Sequence, residues 1–123
     1  MIDSINFSPG RVTVSLNQTI SRQVLINVGQ TIMTHPEFPS VTGMVWKLAP
    51  GIEFELRTMD FFDLVEITKH AVQITRPIKL AIVSGSQLGY GMARAFQSYA
   101  ARAPWQTGVF RSERAAENWL EKV

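Results

Sequence analysis

The chain of 123 residues contains no cysteine. That absence excludes a disulfide framework, thiolate metal sites and cysteine nucleophiles together. Histidine is nearly as scarce, with only His35 and His70 present. A catalytic metal site usually takes three protein ligands and a structural one four, so neither a metal nor a metal-borne cofactor is expected, and both imidazoles read as solvated. No apolar run approaches the length of a membrane span. No basic leader with an apolar stretch precedes Ile5 and Phe7, where residues already alternate. A secretory signal and a transmembrane segment are therefore not expected, and the expected location is the cytoplasm.

What is present is the composition of a globular domain, with 46% apolar and 18% charged residues. A chain of this size folded as one domain, residues 1–123, buries roughly two-thirds of the surface it exposes when unfolded. Charge is uneven. Residues 1–75 carry five basic and seven acidic groups, whereas residues 76–123 carry seven basic and three acidic groups. Arg94, Arg102, Arg111 and Arg114 are separated by apolar core positions rather than clustered on one face. A dispersed solvated surface is expected, not a nucleic-acid footprint.

Ile5 and Phe7, then Pro9-Gly10, then Val12, Val14 and Leu16 alternating with polar residues, predict a β-hairpin with one thinly covered face. Ser21 is a candidate N-cap for a helix carrying Val24, Leu25, Val28 and Ile32, which Pro36 ends near Thr34. Gly43 to Leu48 reads as a buried strand. Thr58 is the expected cap of a second helix whose core stripe holds Phe61, Leu64, Val65, Thr68, Ala71 and Val72. Ile67 and Ile74 flank that stripe, and Phe62 and His70 lie outside it. Ile78 to Val83 is a strand. Ser86 opens a third helix with a stripe of Leu88, Met92, Phe96, Tyr99 and Ala103, closed by Pro104. Thr107 to Phe110 is the last strand, and Ser112 caps a helix with Ala116, Trp119, Leu120 and Val123 inward, Trp119 near Val109. The order ββαβαβαβα predicts an α/β fold, a five-stranded mixed, mostly parallel sheet with four helices mainly on one face.

Chemistry is sparse. A nucleophile elbow needs glycine two residues before and two after its serine, and neither Ser84 nor Ser86 has them. The segment Gly85-Ser86-Gln87-Leu88-Gly89-Tyr90-Gly91 offers backbone amides that attract anions, with Gly85, Ser86 and Gly89 as the candidate residues. It is neither a Walker motif nor a dinucleotide fingerprint. Capping by Ser86 and close packing at the glycines explain it better. Glu53, Glu55, Asp60, Asp63 and Glu66 form an acidic patch around the second helix, without any substrate-binding motif.

Three stretches carry a resemblance: His35-Pro36-Glu37-Phe38 ahead of the central strand, Gly89-Tyr90-Gly91-Met92-Ala93-Arg94 opening the third helix, and the closing run from Val109 to Leu120. With the element order, they resemble STAS domains, in particular the SpoIIAA-like group of stand-alone bacterial proteins, related in fold to the Sec14 lipid-binding class. The resemblance implies a non-enzymatic regulatory module acting through protein–protein contact or self-association. The phosphoacceptor of anti-sigma antagonists does not carry over, because Thr58 is the only hydroxyl between residues 48 and 58 and no Asp precedes it. Nor does the acidic residue that relatives often place in the central strand, where this chain has Trp46.

Two functions follow as expectations. One is a regulatory protein-binding module with Phe62 and His70 on its partner surface. The other, implied by the Sec14-type relatives, is a small apolar ligand or lipid held between the sheet and the second helix by Trp46, Phe54, Met59 and Phe61. Neither needs a cofactor or a catalytic residue.

Overall fold

The computed structural model describes residues 3–71 and 76–122, without the side chains of residues 70 and 71. The hairpin forms as its alternation demands, with β1 (Ser4–Ser8) antiparallel to β2 (Arg11–Leu16), Ile5 opposite Val14 and Phe7 opposite Val12. Pro9 fixes the first turn position, and Gly10 takes φ +72°, which a side chain would strain. Val12, Val14 and Leu16 are buried, while Arg11, Thr13 and Ser15 are half-buried on the other face.

A short strand β3 (Ile20–Ser21) leads into helix α1 (Arg22–Met33). Ser21 Oγ accepts the Val24 N–H at 3.2 Å, the expected cap. After a turn through Phe38 come the central strand β4 (Gly43–Leu48), the two-residue β5 (Phe54–Glu55) and helix α2 (Thr58–Ala71). Then follow β6 (Lys79–Ser84), α3 (Gln87–Tyr99), β7 (Gln106–Phe110) and α4 (Glu113–Glu121). The main sheet has the order β1-β2-β4-β6-β7, parallel except at β1, and β3 pairs with β5 in a separate ribbon. That ribbon has no periodic signal of its own, since each of its strands is only two residues long.

Every parallel step moves one strand in the same direction, so α1, α2 and α3 share one face. Helix α4 follows the last strand and covers the other, setting Ala116 with Trp119 and Leu120 against Val45, Ala81 and Val83. Ion pairs hold it there: Arg11 Nη1 reaches both carboxylate oxygens of Glu117 at 2.8 and 2.9 Å, and Lys47 pairs with Glu113 at 3.0 Å. Lys79 Nζ donates to the Trp119 carbonyl at 3.0 Å and lies 5.1 Å from the indole centroid, satisfying the helix C-terminus.

Four expectations are corrected. Thr58 is the first helical residue of α2 rather than its cap. The end is closed by Asp60, whose Oδ2 accepts the Arg57 N–H at 2.8 Å, so this carboxylate is buried and leaves the acidic surface patch. Ile67 is 39% exposed, outside the buried set of Phe61, Leu64 and Val65, while Val72 and Ile74 lie outside the described residues. In α3, Leu88 (60% exposed) turns to solvent, Tyr99 is 38% exposed with its ring 6.3 Å from that of buried Phe61, and the helix ends before Ala103. The residues that face the sheet are the small Gly89 and Ala93, because the helix approaches too closely for a large side chain: a Cβ on Gly89 would stand 2.1 Å from Ser84 Oγ. Finally, Trp119 lies against Phe110 and Gly108 rather than Val109, since alternation along β7 sends Val109 to the α3 side.

Candidate functional site

The central strand of a parallel sheet should be buried on both faces. On its α4 side β4 obeys, with Gly43 and Val45 buried. On the other side Met44, Trp46 and Leu48 are only half-buried. The helix-side core is split into two clusters, one built on β2 and α1 and the other on β6 and α3, with Phe38, Met44, Trp46 and Leu48 touching both. Between them lies a cavity of about 170 Å³.

Its floor is Met44, Trp46 and Leu48 of β4 with Leu80 and Ile82 of β6. Its walls are Leu25, Gly29 and Ile32 of α1 and Met92, Ala93 and Phe96 of α3, and its roof is Phe61, Leu64 and Thr68 of α2. Phe54 and Leu56 close the end beside the β3–β5 ribbon. Among the described residues α2 packs chiefly on α1 and α3, with Val65 in the cluster that holds Leu80 and Ile82 of β6. Phe61 is fixed by edge contact with Phe96, ring centroids 5.9 Å apart.

Two polar groups belong to residues of the apolar lining. The Thr68 hydroxyl donates to the Leu64 carbonyl at 2.8 Å. The indole Nε1 of Trp46 is buried with no hydrogen-bond partner among the described residues, in contrast to Trp105, whose Nε1 donates to Thr107 Oγ1 at 3.1 Å.

Of the four residues expected around such a site, the structure brings together Trp46, Phe54 and Phe61. It excludes Met59, which is 63% exposed at the start of α2, where its position on the helix turns it away from the core. Met44 and Leu48 were legible as companions of Trp46, two residues either way along a strand. Phe38 had no such signal. It is held by Arg76, whose Nη2 donates to its carbonyl at 2.6 Å and whose guanidinium carbon lies 4.9 Å from its ring centroid.

Elsewhere, Ser86 Oγ accepts the Gly89 N–H at 3.0 Å, so one amide of the anion candidate is already occupied by the cap. Gly85 is exposed beside the Arg111 carbonyl. Phe62 is 49% exposed on the outer side of α2, and the side chain of His70 lies outside the described residues. His35 stacks on Phe7 at 3.7 Å between centroids. Among the described residues no group of three metal-ligating side chains comes together, and no helix is long and apolar enough to cross a membrane.

No protein-family model matches the chain, and no curated protein does. Two solved structures do. The anti-sigma factor antagonist SpoIIAA in its unphosphorylated form aligns over 99% of this chain and 100% of its own, at 14% identity and a TM-score of 0.55. The Bacillus cell fate determinant SpoIIAA in its phosphorylated form aligns over 96% and 99%, at 12% identity and a TM-score of 0.52. With its hairpin, its one-way parallel sheet and its lone helix on the far face, the chain has the SpoIIAA-like STAS fold.

Proposed function

We propose that the chain is a non-enzymatic regulatory binding module whose ligand site is the apolar cavity under α2. The observation that carries this reading is the cavity itself, framed by Trp46, Phe54 and Phe61 and floored by half-buried side chains of the central strand. An engineered void of about 150 Å³ lined by aliphatic and aromatic groups takes up benzene, so the occupant here has an apolar body of about one ring or a short alkyl chain. The polar side chains nearest to catalytic chemistry are engaged otherwise, with Ser86 and Asp60 in capping and Asp63 4.0 Å from Arg22. Native mass spectrometry of gently purified protein should show an added mass. A bare chain whose tryptophan fluorescence ignores medium-chain fatty acids speaks against the site.

A second reading, contact with a protein partner, is favoured by the outer surface. Among the described residues the exposed large apolar side chains are Met59, Phe62 and Ile67 on α2 and Leu88 and Tyr99 on α3, two helices packed side by side. Asp63 and Glu66 accompany the α2 set, exposed Arg94 belongs to α3, and exposed Arg102 lies in the turn just after it. A second copy offering α3 to α2 would match apolar to apolar and acid to base. The shared fold with an anti-sigma factor antagonist supports a regulatory contact of this kind. Sedimentation should show concentration-dependent dimers that Phe62→Glu abolishes. A wild type that stays monomeric at high concentration removes the self-association version.

A further inference from the structure

We infer that the open edge of β1 pairs antiparallel with the same strand of a second copy, joining two sheets across a two-fold axis. Neither the cavity nor the α2–α3 face takes part, so the inference stands apart from both readings above. β1 ends the sheet, with β2 as its strand neighbour. The carbonyls of Gly10 and Leu16 accept the N–H groups of Thr42 and Ala49, so the even-numbered residues of β2 direct their backbone groups to β4. By alternation Arg11, Thr13 and Ser15 bond Ser8, Asn6 and Ser4 of β1. Ile5 and Phe7 are left with N–H and C=O on the open edge. Native edges are commonly guarded by a charge, a proline, a bulge or a covering segment. The opposite edge has such a guard. There Gln106 N–H bonds the Ile78 carbonyl, Thr107 therefore faces outward, and Gln97 Nε2 donates to its carbonyl at 3.0 Å. Ser4 to Ser8 contain no charge and no proline, and match β2 without a bulge.

The strand also fits itself. Ser4-Ile5-Asn6-Phe7-Ser8 has the same polar and apolar order read in either direction. With Asn6 on the axis, Ser4 stands opposite Ser8 of the second copy, Ile5 opposite Phe7, and Asn6 opposite Asn6. The two Ile5–Phe7 pairs exchange both their backbone hydrogen bonds, and their side chains extend the face that carries Val12 and Val14. A two-fold axis sets each nearby group beside its own copy, where a charge would repel itself. The strand has none, and α1, packed over the same face, carries no charge after Arg22. Pairing over five residues is a small contact of the transient class, which a covalent trap records and sedimentation does not.

The chain has no cysteine, so single-cysteine variants report the contact without background. All are made together with Phe62→Glu, which removes the α2–α3 contact and leaves the edge untouched. Asn6 is exposed, and on the axis it forms a non-hydrogen-bonded pair with Cα atoms about 4.5 Å apart, within disulfide reach. In a mild thiol–disulfide buffer Asn6→Cys should cross-link to a dimer about tenfold faster than Ser98→Cys, exposed on α3. Ser4→Cys should not exceed that control, being four residues out of step with its own copy. Mixed with ¹⁵N-labelled Ser8→Cys, it should give the heterodimer, identified by mass. Asn6→Cys no faster than the control, or Ser4→Cys that links readily to itself, overturns the inference. In the wild type the Ile5 and Phe7 amides should exchange more slowly as protein concentration rises. Rates independent of concentration overturn the inference even where a variant fails to fold.

Discussion

Two glycines on one turn of α3 do opposite things. Gly89 faces the sheet, where an added Cβ would stand 2.1 Å from Ser84 Oγ and 2.9 Å from Ser86 Oγ. Gly91 faces solvent, with nothing within 4 Å of the same position. Gly89→Ala should therefore cost about 1–3 kcal/mol through overpacking, and less in a Ser84→Ala background. Gly91→Ala should gain about 0.5–1 kcal/mol from helix propensity alone. Urea denaturation of the three variants checks the signs; a stabilised Gly89→Ala would show that α3 does not approach the sheet as described. Caps are the other residue-scale feature, and they were mostly legible. Ser21, Ser86 and Ser112 each accept an amide three residues on, as a serine before an apolar stripe announces. Asp60 was not, because its carboxylate reaches backwards to Arg57, a geometry that a forward search for Ser or Thr passes over.

At the scale of elements, periodicity located the helices and the main strands but not always their rotation. The α3 stripe holds at Met92 and Phe96, which border the helix-side core, and fails at Leu88, because close approach to the sheet puts the small Gly89 and Ala93 at the contact itself. Helix α4 shows the same logic on the far face. A Cβ on Gly108 would lie 2.8 Å from Phe110 and 3.2 Å from Trp119, so the glycine makes the trough in which both rings rest. Trp119 is half-buried there and holds Lys79 over its ring. Trp119→Ala should cost about 2–4 kcal/mol, somewhat below the 3–5 of a fully buried aromatic, and should loosen α4 rather than the whole sheet. Hydrogen exchange accelerated at residues 113–121 with a chemical midpoint that falls by that amount is the expected result. A loss under about 1 kcal/mol would make Trp119 a surface residue.

For the molecule as a whole, strand order and parallel direction were legible because single helices separate short apolar runs and leave few topologies. The cavity was legible only as three aromatics and a methionine, of which the aromatics Trp46, Phe54 and Phe61 frame it. Whether large side chains fill a space or border one depends on helix height and tilt, which periodicity does not encode. Here α2 leans on α1 and α3, and the floor of β4 is left half-covered. If this space receives a guest, binding and folding are linked. A molecule that binds only the folded state stabilises it by RT ln(1 + [L]/Kd), about 2.7 kcal/mol at one hundred times Kd. Equilibrium denaturation with rising acetophenone should follow that curve in the wild type. Gly29→Leu should not respond, because its new side chain enters the cavity from α1, where a Cβ meets only the Met33 methyl at 3.9 Å. A wild-type midpoint that stays fixed up to the solubility limit, or a variant that responds as the wild type does, would show that the space under α2 takes no guest.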